Sequence, residues 1–180
     1  MKLYKFSKLA GFFSAAIIGS SLLTIGCSKD LELEQCKVNY SKDNYSEAFK
    51  FCSVAAEQGH PEAQNILGNL YFCGRGVNKN NKESFKWYEK AAEQGFVEAQ
   101  ANLGSSYMLG IGVKQNFYEA KKWFEKAAKQ GSSSSLRSLG NMYYNGYGVR
   151  QDYSKAKEYY GLACDNGDQL GCDIYKRLNK

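Results

Sequence analysis

The sequence predicts an all-α solenoid, a stack of helix–turn–helix units repeating every 36 residues. Three observations carry this. Gly59, Gly95, Gly131 and Gly167 are evenly spaced, as are Leu67/Leu103/Leu139, Gly68/Gly104/Gly140, Tyr71/Tyr107/Tyr143 and Val77/Val113/Val149. A near-identical phrase precedes three of the spaced glycines: Ala55-Ala56-Glu57-Gln58, Ala91-Ala92-Glu93-Gln94 and Ala127-Ala128-Lys129-Gln130. Within a unit, Phe85, Tyr88, Ala91 and Ala92, then Ala99, Leu103 and Tyr107, fall at helical spacings. One helical hairpin cannot bury its apolar face alone, so such units stack.

The chain opens with Lys2, Lys5 and Lys8, followed by an uncharged stretch from Leu9 to Ile25. A positive start, an apolar run and a small residue before a cut make a secretory signal over 1–26. The run is interrupted by glycines and serines, and a spanning helix wants about 20 strongly apolar residues. Leu23-Thr24-Ile25-Gly26-Cys27 resembles a bacterial lipoprotein box. The resemblance implies lipidation of Cys27 and cleavage before it. Thr24 departs from the leucine usual at its position. Ser28 follows the cysteine, where an aspartate would signal inner-membrane retention; the resemblance therefore implies an outer-membrane protein facing the periplasm or the cell surface.

Residues 27–43 read as the lipidated cysteine and a polar linker, with one helical turn around Leu31–Val38. The repeat domain is expected over 44–180. Three full units occupy about 44–80, 81–116 and 117–152, and a partial one runs from 153 to about 178. In the second unit Asn80 caps the first helix, and Gly95 ends it by taking the left-handed conformation. The second helix carries Gly104, whose cost of about 1 kcal/mol against alanine suggests a close-packed neighbour. Gly110-Ile111-Gly112-Val113 then turns the chain. Pro61, the one proline, falls in the first turn of a helix, where its missing N–H is harmless. In the last unit Lys176 replaces the helix glycine and, with Arg177 and Lys180, makes a polar cap.

The six cysteines of an exported chain point to disulfides. Besides Cys27, an odd number remain. Cys164 and Cys172 take the places of Ala92 and Gln100 and should face each other across the last hairpin. Among Cys36, Cys52 and Cys73, the pairs Cys36–Cys52 and Cys52–Cys73 are both possible.

The net charge is +6, half of it from the three lysines of the signal. What remains is spread along the chain, whereas a nucleic-acid binder shows a clustered basic stripe. No catalytic, cofactor-binding or metal-ligating set emerges. His60 is the one histidine and reads as an exposed turn residue without an orienting partner. The Gly-x-Gly loops follow helices and lack a Gly-Lys-Ser/Thr ending, so turn geometry explains them.

The repeated phrase, the Glu-Ala-Gln after it (Glu62-Ala63-Gln64, Glu98-Ala99-Gln100), the Leu-Gly-x-x-Tyr motif and the Gly-x-Gly-Val turn resemble the SEL-one-like repeat family, relatives of tetratricopeptide repeats. The resemblance covers nearly all of 44–178. It implies a right-handed α/α solenoid and an adaptor or scaffold role, binding another protein or peptide rather than catalysing. In tetratricopeptide relatives the first helices line a peptide groove. Lys86 and Trp87, with Lys122 and Trp123 at the equivalent positions, are the residues this implies for partner contact. Their aromatic column serves equally as inter-repeat core. The Cys164/Cys172 spacing is similar to a cysteine-rich secreted subgroup, some of whose members bind penicillin-like compounds; binding or hydrolysis of such compounds is the alternative function. Here one unit carries the pair, and the others have Ala56/Gln64, Ala92/Gln100 and Ala128/Leu136.

Overall fold

The computed structural model describes residues 31–180. The signal and Cys27 lie outside the described residues. Helix α1 runs over 31–41. Four hairpins follow: α2 (Tyr45–Glu57) with α3 (Pro61–Cys73), α4 (Asn81–Glu93) with α5 (Val97–Leu109), α6 (Phe117–Lys129) with α7 (Ser133–Asn145), and α8 (Tyr153–Asp165) with α9 (Gln169–Leu178). The described residues contain no strand. The principal helix contacts join sequence neighbours, within a hairpin and from one hairpin to the next. This is the all-α solenoid that the period implied.

Local chemistry sets the boundaries. Asn80 and Asn116 each accept two N–H groups of the following first turn, and Asp152 accepts one. The first helices end in Schellman turns. In the second unit Gly95 N–H donates to Ala92 O and Phe96 N–H to Ala91 O, with Gly95 at φ +89°. The residue that closes the turn also stands as N-cap of the next helix: His60, Phe96, Ser132 and Asp168. His60 is half-buried by this arrangement, not exposed as the sequence suggested.

The helix glycines do what their recurrence implied. A Cβ on Gly68 would lie 2.6 Å from the Tyr88 ring, one on Gly104 2.7 Å from Phe124, and one on Gly140 2.8 Å from Tyr160. Each ring comes from the first helix of the next unit and is buried. Thus every hairpin presents a bare backbone to its successor, and a flat ring fills the gap. Where the ring is a tyrosine, its hydroxyl donates to an asparagine beside the glycine: Tyr88 to Asn69 and Tyr160 to Asn141, both at 2.7 Å. Burial pushes the Tyr88 phenol up to about 12, so it stays a proton donor. Phe124 has no hydroxyl, and Ser105 stands in the asparagine's place.

A second ladder runs on glutamines. Gln64 Nε2 donates to Ala56 O across the first hairpin, and its Oε1 accepts from Gln94 of the next. Gln100 and Gln130 repeat the pattern. In the last hairpin the equivalent positions are Cys164 and Cys172, which are disulfide-bonded. A covalent link replaces the hydrogen bond at the same place.

The amino-terminal segment is more ordered than the one turn expected within a linker. Helix α1 presents Leu33, Cys36 and Tyr40 at spacings of three and four to the first hairpin's core. Cys36 is fully buried and bonded to Cys52, while Lys37 pairs with Glu62 of α3 at 3.1 Å. Cys52 occupies the position that holds Tyr88, Phe124 and Tyr160 in later units. The disulfide therefore fixes α1 where a ring-on-glycine contact fixes the others. Cys73 is the free and exposed cysteine of the described residues. Among those residues, no helix is long and apolar enough to cross a membrane.

Candidate functional site

The outward face of the first helices carries the lysine column expected to meet a partner. The structure neutralises it locally. Lys50 pairs with Glu47 at 2.6 Å, Lys86 with Glu83 at 2.6 Å, and Lys122 with Glu119 at 3.6 Å. All three lysines are solvent-exposed, and each acid lies one turn toward the helix N-terminus. Exposed pairs at this spacing contribute at most about 0.5 kcal/mol each. They leave a row of dipoles in place of a basic stripe.

The tryptophans beside them face inward. Trp123 is 9% exposed and belongs to the core with Tyr88, Ala91 and Leu103. Trp87 is half-buried against the first hairpin's core. Each is covered by the lysine one turn on: Lys90 Nζ lies 4.0 Å from the Trp87 centroid and Lys126 Nζ 3.8 Å from that of Trp123. Such contacts are worth about 0.5–1 kcal/mol at a surface. Lys86 and Lys122 are thus reachable, and Trp87 and Trp123 are mainly packing residues. The sequence does contain the signal, a Trp-x-x-Lys spacing, but helix rotation decides which lysine meets the ring.

The third and fourth units break the pattern. Phe49 and Phe85 pack edge-on against Tyr71 and Tyr107 of their own hairpins. Lys121 stands at the equivalent place in α6 and pairs with Glu125 at 2.5 Å. Tyr143 is left without that partner and stacks on Tyr159 of the next unit, centroids 5.5 Å apart and planes within 11°. Arg137 Nε donates to Asp168 Oδ2 at 2.8 Å, tying α7 to the cap of α9. Partial burial opposes ionisation of Asp168, but Arg137 and the Gly171 N–H outweigh it and hold its carboxyl below the usual range. No group of His, Cys, Asp or Glu side chains among the described residues is arranged to hold a metal ion.

Stacked helical hairpins with a polar outer face and a buried ring at each joint define an α-helical repeat protein. The Sel1 repeat matches residues 39–60, 61–96, 97–132 and 133–168, and the chain belongs to that family. The last three matched units each begin on the second helix of a hairpin, so they straddle the ring-on-glycine joints. The chain is similar to a Sel1 repeat protein from Oxalobacter formigenes, with 36% identity over 79% of this chain and 58% of that one, at a TM-score of 0.74. It is also similar to a protective antigen of uropathogenic Escherichia coli with an SLR fold, with 36% identity over 85% of this chain and 34% of that one, at a TM-score of 0.75. The cysteine rich protein B of Helicobacter pylori matches at 25% identity over 70% of this chain and 96% of that one, at a TM-score of 0.55. The chain spans a little over half of the Oxalobacter protein and about a third of the Escherichia antigen. No curated protein matches it. Sel1 repeat proteins generally mediate protein–protein interactions and are generally not enzymes.

Proposed function

We propose that this chain is a lipid-anchored scaffold of the bacterial envelope, held by acyl chains on Cys27 and offering its helical repeats to another protein or peptide. The observation that supports it most is the division of labour in the repeat. The invariant columns are spent on stacking, through Gly68/Gly104/Gly140 and the rings that cover them. Apart from the column Lys50, Lys86 and Lys122, exposed positions such as Glu57, Glu93 and Lys129 vary from unit to unit in charge and size. A preordered surface of this kind loses little entropy on association. Lys86 and Lys122 are the accessible members of the proposed contact, on helices that Trp87 and Trp123 seat against the core. The covalent lipid belongs to Cys27, and the outer membrane is the expected location because Ser28 follows it.

Crosslinking in the native envelope, followed by mass spectrometry, tests the role. A reproducible partner whose capture falls with Lys86→Ala and Lys122→Ala supports it; the absence of any specific partner refutes it. For the anchor, Cys27→Ser should abolish palmitate labelling and release the protein from membranes. The alternative of penicillin-like ligands draws support from the Cys164–Cys172 bond of the last hairpin. It requires an adduct or turnover when the oxidised protein meets such a compound, read by intact mass.

A further inference from the structure

Three junctions in this solenoid have the same construction. A loop leaves the second helix of one unit, and the first turn of the next helix faces the tyrosine of the helix just left. At the first junction the loop residue is Asn78, the first-turn residue Glu83 and the tyrosine Tyr71. At the second they are Lys114, Glu119 and Tyr107. In both, burial raises the tyrosine and the facing acid adds to the effect, Glu83 at Tyr71 and Glu119, with Glu89, at Tyr107. At the third they are Arg150, Lys155 and Tyr143. The acid has become a lysine and the loop residue an arginine.

The third junction is also indented. A cleft of about 580 Å³ is lined by Tyr143, Val149, Arg150, Gln151, Asp152 and Lys155. Lys155 Nζ lies 4.6 Å from the Tyr143 centroid, and that ring is already stacked on Tyr159. Among the described residues, neither Arg150 nor Lys155 has a carboxylate at ion-pair distance. The nearby acids are occupied or off the cleft. Asp152 accepts the Lys155 backbone N–H, Glu125 pairs with Lys121, and Glu158 acts on Lys155 through its field without reaching ion-pair distance. Two cations without a carboxylate partner therefore stand at the rim of Tyr143, a ring only 9% exposed that Tyr159 and Lys155 already contact.

The geometry points to a docking site for an acidic peptide segment of a protein partner at the junction of the third and fourth units, with Arg150 and Lys155 taking carboxylates and half-buried Val149, beside the edge of Tyr143, taking an apolar neighbour. This rests on the scaffold reading and adds the partner's chemistry to it. A chain of single negative charges fits better than a compact dianion, which would meet the Asp152 carboxylate on the same wall. At the first two junctions Glu83 and Glu119 stand where Lys155 stands here, each paired with a lysine of its own helix and offering no free cation, so charge complementarity favours the third position along the rod.

The test uses the full chain in detergent and fluorescence anisotropy with a dye-labelled Asp-Glu-Phe-Glu-Asp peptide and its amide counterpart Asn-Gln-Phe-Gln-Asn. Binding of the acidic peptide, weakened about tenfold or more by Lys155→Glu and unchanged by Lys42→Ala at an exposed lysine remote from the cleft, is expected. Glu119→Lys should create a second site beside Lys114 and Tyr107. Far-UV circular dichroism verifies that each variant is folded. Equal binding of the amide peptide, indifference to Lys155→Glu, no binding at millimolar peptide, or equal competition by inorganic phosphate or phosphatidylglycerol vesicles would overturn the assignment. If Lys155→Glu still captures its partner in native crosslinking, the docking site falls and the scaffold reading stands; with no partner in any variant, both fall.

Discussion

Gly104→Ala is the substitution that most directly probes how these units join. In an isolated helix it stabilises, by about 1 kcal/mol from helix propensity. Here the new methyl would sit 2.7 Å from two atoms of the Phe124 ring, and carbons in contact prefer about 3.5–4.0 Å. The ring is 1% exposed and held between hairpins, so it must retreat by roughly 1 Å against packed neighbours. Overpacking of this kind costs about 2–3 kcal/mol. The two effects leave a net loss of about 1–2 kcal/mol. Urea unfolding of Gly104→Ala, Phe124→Ala and the double variant separates them. Relative to Phe124→Ala, the added methyl has room and should stabilise by about 1 kcal/mol. The sign of the same substitution therefore reverses with the ring. A rise in the urea midpoint for Gly104→Ala alone, with the slope unchanged, would falsify the ring-on-glycine account.

Three further outcomes follow from the same structure. Tyr88→Phe removes the hydroxyl that donates to Asn69 and should cost about 1 kcal/mol; adding Asn69→Ser recreates the Phe124/Ser105 combination and should recover part of the loss, as measured by urea midpoints. Replacing Cys164 by alanine together with Cys172 by glutamine restores the pair found at Ala92 and Gln100. It gives up about 2–3 kcal/mol of loop-closure stabilisation and regains about 1 kcal/mol through the glutamine-to-carbonyl bond, so thermal unfolding without reductant should show a smaller loss than the double alanine variant. Asp168 has its carboxyl lowered in the fold, so the stabilisation it brings is complete above the unfolded value of about 3.9 and disappears as pH falls through the folded value. Wild type should lead Asp168→Asn in urea midpoint near neutrality, and the lead should vanish in acid; a constant gap would refute the Arg137 tether.

The sequence by itself determined the hairpins. Caps at Asn80 and Asn116, the glycine after each first helix, and Pro61 at a helix start act on chain neighbours, so their meaning is local, and the glycine recurs in all four hairpins. The recurrence of Gly68, Gly104 and Gly140 even announced that something packs closely there. Tertiary structure alone decided what that something is. Tyr88 with Asn69, Phe124 with Ser105 and Tyr160 with Asn141 vary together along the chain, yet the pairing becomes visible only once each second helix is laid against the next unit's first helix. The same holds for Cys36–Cys52, for the short apolar stripe that makes 31–41 a helix of the fold, and for Trp87 and Trp123 turning inward while Lys86 and Lys122 pair with acids of their own helix. Spacing along a helix says which side chains share a face. The rotation of that helix against its neighbours, set by how rings and bare backbone fit together, says whether the face meets protein or water.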